Sequence, residues 1–402
     1  MTVEWLGGTD DAEELPQPPR RPSPRRPLWW LAGGLVAAVA VVAAVVSRSD
    51  TGPKAAAPPI APSTSTSAPF QPVELQPSTQ PAPLPGSQPV VMQLGHSLLP
   101  GASGWELFAR SDEAVIRIQV GSGRVTTTPL PAVLDEGGVA FVTGPDSVIV
   151  RPNDAVPGYL IPDGRPALAL PSLFANANNV LAGPQRDEVW VQGTSDTGQT
   201  TAPSLFDLRT NRVVGEHLTV PSQLVGPLTS DGSGYLLYTG VGGIYDVRDT
   251  GVHRVTSGRI VAVGSSSWLV LDCDEQYHCS LVLVDQQTGL RTSVGAAPIA
   301  PDYLPGLISP DGRFAVYLAD TGRSTESLRI VDLVNRTDRL LAVHPANVSF
   351  DTQPFVWAPT GHVLLIADND EKLEQVDPAT LVTHVVDPRL PRVIQLAIRV
   401  LS

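Results

Sequence analysis

Two cysteines, seven histidines and a few aspartate-rich segments are the residues of this 402-residue chain with chemistry beyond packing. Cys273 and Cys279 stand in WLVLDCDEQYHCSLVLVD, five residues apart, with a strand-like apolar run on each side. Across a hairpin they would face each other at a distance a disulfide tolerates, so a structural bridge is expected. A metal site would have to recruit His278 and Asp274, and that set lacks partners at ligand spacing. His96, His217, His253, His278, His344, His362 and His384 form neither an HxH nor an HExxH pattern. The acidic run DNDEKLE at 368–374 opens like a calcium loop, but it lacks the central glycine and the terminal spacing. It reads as a solvated hairpin tip, as does DCDE at 272–275. With no GxSxG elbow and no phosphate-binding glycine loop, the sequence assigns no catalytic residue, no cofactor and no metal.

The elements around these residues repeat. Region 90–402 has no amphipathic helix; short runs of Val, Leu, Ile, Tyr and Trp alternate with Gly, Pro, Asp and Asn, a strand-and-turn signature. A compact apolar strand recurs as WELFA, SVIVR, EVWVQ, YLLYT, WLVLD, FAVYL and VLLIA. Each is followed by a second strand and a turn starting at Gly121, Asp163, Asp207, Asp246, Asp285, Asp332 and Asp377. Aspartate suits such turns because its carboxylate accepts backbone N–H groups two residues on. A small-residue strand and turn precede the compact strand, as in LTSDGSG, LISPDGR and VWAPTGH. Four strands in about 43 residues, repeated seven times, predict an all-β, seven-bladed β-propeller, with six or eight blades as alternatives. Trp105, Trp190, Trp268 and Trp357 fall at or near equivalent positions and read as packing between blades. Residues 393–400 follow the last repeat. They are expected to close the ring beside 105–110, the alternative being that 90–94 pairs into the last blade.

The SPDGR at 309–313, with the looser TSDGS and APTGH, resembles the repeat of WD-like and Tol-type bacterial propellers. Asp311 and Gly312 match that family's turn; the last copy keeps the glycine and lacks the aspartate. The resemblance implies a fold and says nothing of a substrate.

Three segments precede the repeats. Residues 1–27 are polar and Pro-rich, a disordered cytoplasmic tail. Residues 28–46 are uncharged and apolar; as a helix they would span about 28 Å, close to a bilayer core. Arg20, Arg21, Arg25 and Arg26 precede them, which keeps the N-terminus in the cytoplasm. Segment 28–47 is therefore read as a retained single-pass signal anchor, and the Pro/Ser/Thr/Ala-rich stretch 48–89 as a linker. The net charge of −13 argues against nucleic acid, which calls for a basic footprint. The expected molecule is a membrane-anchored binding or scaffold propeller outside the cytoplasmic membrane. Its partner would be a protein, peptide or glycan, and an acidic domain meets a basic partner surface most easily. A propeller lyase or hydrolase with a central-channel site, and an extracytoplasmic sensor, are the alternative readings.

Overall fold

The chain divides into two units, Met1–Gln76 and Pro77–Ser402. The computed structural model describes residues 81–401 of the second unit, except 100–102, 135–137, 153–156, 194–200, 215–217, 275, 277, 297–304, 320–326, 346–353 and 368–371. The tail, the anchor with its four arginines, and most of the linker lie outside the described residues. No helix among the described residues is long and apolar enough to cross a membrane. The linker was expected to run to 89, but its end is already attached to the domain. Leu84 N donates to the Ala167 carbonyl at 2.8 Å, and Ala167 N donates to the Ser87 hydroxyl at 3.0 Å.

The strands form antiparallel sheets, here called blades, four-stranded except the first, which takes a fifth strand from the end of the chain. The first holds β1 (Val90–Gln93), β2 (Trp105–Arg110), β3 (Ala114–Gln119) and β4 (Arg124–Pro129). The second holds β5 (Val139–Thr143), β6 (Ser147–Pro152), β7 (Tyr159–Pro162) and β8 (Leu168–Ala169). The third holds β9 (Ala177–Ala182), β10 (Glu188–Gly193), β11 (Ser204–Asp207) and β12 (Arg212–Val213). The fourth holds β13 (Leu224–Ser230), β14 (Leu236–Gly240), β15 (Gly243–Arg248) and β16 (Gly251–Thr256). The fifth holds β17 (Arg259–Val263), β18 (Ser267–Cys273), β19 (Cys279–Asp285) and β20 (Arg291–Ala296). The sixth holds β21 (Gly306–Ile308), β22 (Phe314–Ala319), β23 (Ser327–Asp332) and β24 (Thr337–Leu340). The seventh holds β25 (Phe355–Trp357), β26 (Val363–Ile366), β27 (Leu373–Val376) and β28 (Thr383–Val385).

The remaining strand, β29 (Gln395–Val400), pairs with β2 from Trp105↔Val400 to Arg110↔Gln395. β1 pairs with β4 on the opposite edge of the same sheet, giving the order β1-β4-β3-β2-β29. The expected closure beside 105–110 is therefore the one observed, and 90–93 adds to the first blade rather than the last.

The apolar core is split among the joints between blades. Phe108 shares a cluster with Phe141 of the second blade, Ile149 with Val189 of the third, and Trp190 with Leu236 of the fourth. Leu237 then shares one with Trp268, Leu269 with Tyr317, and Phe314 with Phe355. Leu364 of the seventh blade meets Leu107 of the first, so the cycle closes on itself. Sheets packed face to face in a closed cycle make a β-propeller, which disposes of open faces by radial repetition. The strands of the recurring compact series are apolar on both faces because each face belongs to a different joint.

The turn aspartates show why the repeat could be recognised. Asp207 Oδ1 accepts Arg209 N and Thr210 N, and Asp285 Oδ1 accepts Gln287 N and Thr288 N. Asp332 does the same with Val334 and Asn335, and Asp377 with Ala379 and Thr380. Asp311 Oδ1 accepts Arg313 N, and Gly312 has φ 72°, the left-handed region that favours glycine. Gly121 lies in the β3–β4 turn. Asp246 corrects the series: it lies inside β15, opposite Leu237 and His253, and the turn follows at Asp249–Thr250. The strand simply runs further here before it reverses. Asp163 opens the turn after β7 and also serves an ion cluster described below. Cys273 and Cys279 are a directly opposed pair across β18 and β19 and form a disulfide.

Candidate functional site at the axis of the ring

The turns that follow the innermost strands crowd together at one end of the ring. Trp190 Nε1 donates to the Gly234 carbonyl at 2.7 Å, and Trp268 Nε1 to the Asp231 carbonyl at 2.9 Å. Trp357 Nε1 donates to the Leu307 carbonyl at 3.0 Å. Each bond links adjacent blades, as packing tryptophans should. Trp105 is buried as well, and its indole N–H has no partner among the described residues. Gly232 lets one turn approach the next: at φ 87°, a Cβ there would stand 2.2 Å from the Gly264 carbonyl oxygen.

The ring is tighter on one side. β17 and β21 pair in parallel through Ala262↔Gly306 and Val263↔Leu307, fusing the fifth and sixth blades into one eight-stranded sheet. A Cβ on Gly306 would lie 2.0 Å from the Val316 carbonyl oxygen on β22 of the same blade, so only glycine lets β21 lie this close to its own neighbour while it also pairs with β17. A cavity of about 320 Å³ opens among the first four blades, lined by Thr143, Gly183, Arg186, Glu188, Ser233 and Arg399 among others.

The charges at this cavity are largely committed. Arg399 is buried and donates to both carboxylate oxygens of Asp163, at 3.1 and 2.5 Å. It also bonds Glu106 and the Gly144 carbonyl, and stacks over Phe108. Arg117 grips the same Glu106 through two nitrogens. Burial pushes the Glu106 carboxyl up, but the hydrogen bonds from Arg117 and Arg399 outweigh it and hold it below its ordinary value. This cluster rivets β29 to the first and second blades. Glu188 behaves differently: burial raises its carboxyl, and Oε2 accepts Gln185 N at 3.0 Å. Further out, Asp387 is pulled down to about 2, first by the Arg389 hydrogen bond.

The strand ends from which the second-to-third and blade-to-blade connections leave lie at the opposite end. By sequence these connections run to fourteen residues (341–354), against at most six (377–382) for the turns between hairpin strands at the cavity end, where only the β1–β2 connection, 94–104, is longer. They contain seventeen acidic and four basic residues, against seven and five in the short turns. Nearly all the domain's excess negative charge is thus coded in one set of connections. Sequence reasoning missed the Glu106–Arg117–Asp163–Arg399 cluster, whose only signal was a strand-like segment after the last repeat. Among the described residues no group of three His, Cys, Asp or Glu could hold a metal ion. His278 Nδ1 lies 3.2 Å from Asp274.

No family and no curated protein matches the chain. Solved structures with a similar fold include an oligogalacturonate lyase in complex with manganese, at TM-score 0.46 and 13% identity, covering 64% of this chain and 80% of that one. Puromycin hydrolase is similar at TM-score 0.46 and 16% identity, over 72% of this chain and 53% of its own. TolB from Acinetobacter baumannii is similar at TM-score 0.39 and 15% identity, over 70% and 79%.

Proposed function

We propose that the chain is a single-pass, N-in membrane protein. It presents a seven-bladed propeller outside the cytoplasmic membrane as a binding or scaffold module. The observation that carries the binding role is the division of labour between the two ends of the ring. Turns at the cavity end are short and tied to one another by tryptophan, arginine and glutamine side chains. The other end joins its strands by longer, acidic connections, the usual place for recognition on a rigid scaffold. Their charge favours a partner with a basic contact surface. The uncharged stretch 28–46 behind four arginines supports the anchor, and a disulfide suits an oxidising compartment. A catalytic use of the axial cavity is the second reading, favoured by the raised carboxyl of Glu188 on its wall.

The test uses the full chain in intact cells, with a photo-crosslinking residue placed singly at Glu113 and Asp274 on one end or at Asp146 and Gln185 on the other. Adducts from the first pair support the binding face. Adducts confined to the second pair move function to the axial cavity. A reporter fused after Ser402 should work only in an oxidising space; cytoplasmic activity would remove the topology.

A further inference from the structure

We propose that the joint between the fourth and fifth blades is an acid-responsive latch, built from Asp231, Asp246 and Arg248, that tightens when Asp246 takes up a proton. Two buried carboxylates share one guanidinium here. Arg248 Nε donates to Asp246 Oδ2 at 2.5 Å and a terminal nitrogen donates to Asp231 Oδ2 at 3.0 Å. Asp231 is otherwise satisfied: it accepts Ser233 N, the Ser233 hydroxyl and Tyr235 N. Asp246 is not. Its Oδ1 is buried and has no partner among the described residues, and Arg248 is its only side-chain donor there. With both acids ionised the pocket holds one more negative charge than positive, away from water.

The same residues hold the joint. The Asp231 carbonyl accepts the Trp268 indole at 2.9 Å and the Gln286 amide at 2.8 Å, both from the fifth blade. Gln286 also donates to the Gly264 carbonyl, and its oxygen accepts Arg248 at 3.4 Å. The charged and titratable groups facing Asp246 are Arg248 beside it on β15, Asp231 from the turn after β13, and His253 opposite it on β16. Tyr235 stacks under Arg248. Burial lifts the Asp246 carboxyl to about 6, with Asp231 adding to the rise and Arg248 opposing it.

The sign follows from linkage. The closed joint binds the proton more tightly than the opened one, whose carboxyl titrates near its ordinary value of 3.8. The extra stability is complete below that value and is lost as pH rises through about 6. Opening should therefore be about tenfold more frequent at pH 7 than at pH 5.

Hydrogen exchange of the full chain, followed by mass spectrometry across 231–236 and 264–271 and corrected for intrinsic chemistry, reads this directly. The wild type should show the tenfold rise in these segments only. Asp246→Asn should abolish the pH response, and His253→Gln should retain it. A response spread evenly over all blades, one of opposite sign, or one that disappears in His253→Gln overturns the latch. Should Asp246→Asn fail to fold, wild type and His253→Gln still decide the matter.

Discussion

The two ends of the ring are built from the same strands and differ in what joins them. At the cavity end the hairpin turns are short, and their carbonyls are taken by side chains of the neighbouring blade. The connections that leave from the other end are longer in sequence and are coded with a large excess of acid. One set of turns spends its polar groups on cohesion, and the other leaves room for variation. A propeller can therefore alter what it recognises without disturbing what keeps it shut, provided the changes stay at the second end.

The sharpest way to break this comparison is to remove residues 391–402. That takes β29 from the first blade, unpairs β2 and dissolves the Arg399 cluster. The protein should aggregate or become protease-sensitive, since an open edge templates association. A cooperative unfolding temperature near the parent's would show that closure matters little. Arg399→Ala should cost roughly 1.5–3 kcal/mol in urea unfolding, because buried Glu106 and half-buried Asp163 lose one of the two cations they share and keep Arg117. Glu113→Ala, at the other end, should stay within about 0.5 kcal/mol. Equal effects would erase the distinction between the ends. Gly232→Val should lose roughly 1–3 kcal/mol through the positive φ and the nearby Gly264 carbonyl. Cys273→Ser should cost about 2 kcal/mol, because the bridge closes only one local hairpin. The smallest effect, below about 1 kcal/mol, is expected for a Gly-Ser-Gly-Ser insertion in 320–326. The same insertion within 264–266 should be far more damaging, and a mild result there would undo the claim that these turns interlock.

What could be read from the sequence follows from whether a signal is local. Asp207, Asp285, Asp332 and Asp377 each cap a turn with bonds two and three residues on, so the repeat was visible. The compact strands were visible because both their faces are buried in joints. Asp246 misled because the same local string sits two residues earlier in a longer strand. Innermost strands such as ANNVLA and GLI gave little: the first buries only two of its six residues, and the second is three residues long. The parallel pairing of β17 with β21 and the Arg399–Glu106 bond, which spans 293 positions, have no local signature at all.

That span has a consequence in time. A ribosome produces β2 long before it produces the strand that must lie against it. At roughly 5–20 residues per second, 293 residues take about 15–60 s. Throughout that interval the nascent first blade offers a bare edge, while later blades assemble on one another in succession. The molecule is thus most vulnerable during its own biosynthesis. Whatever shields Trp105–Arg110 in that window bears on yield in a way that the equilibrium stability of the finished ring does not.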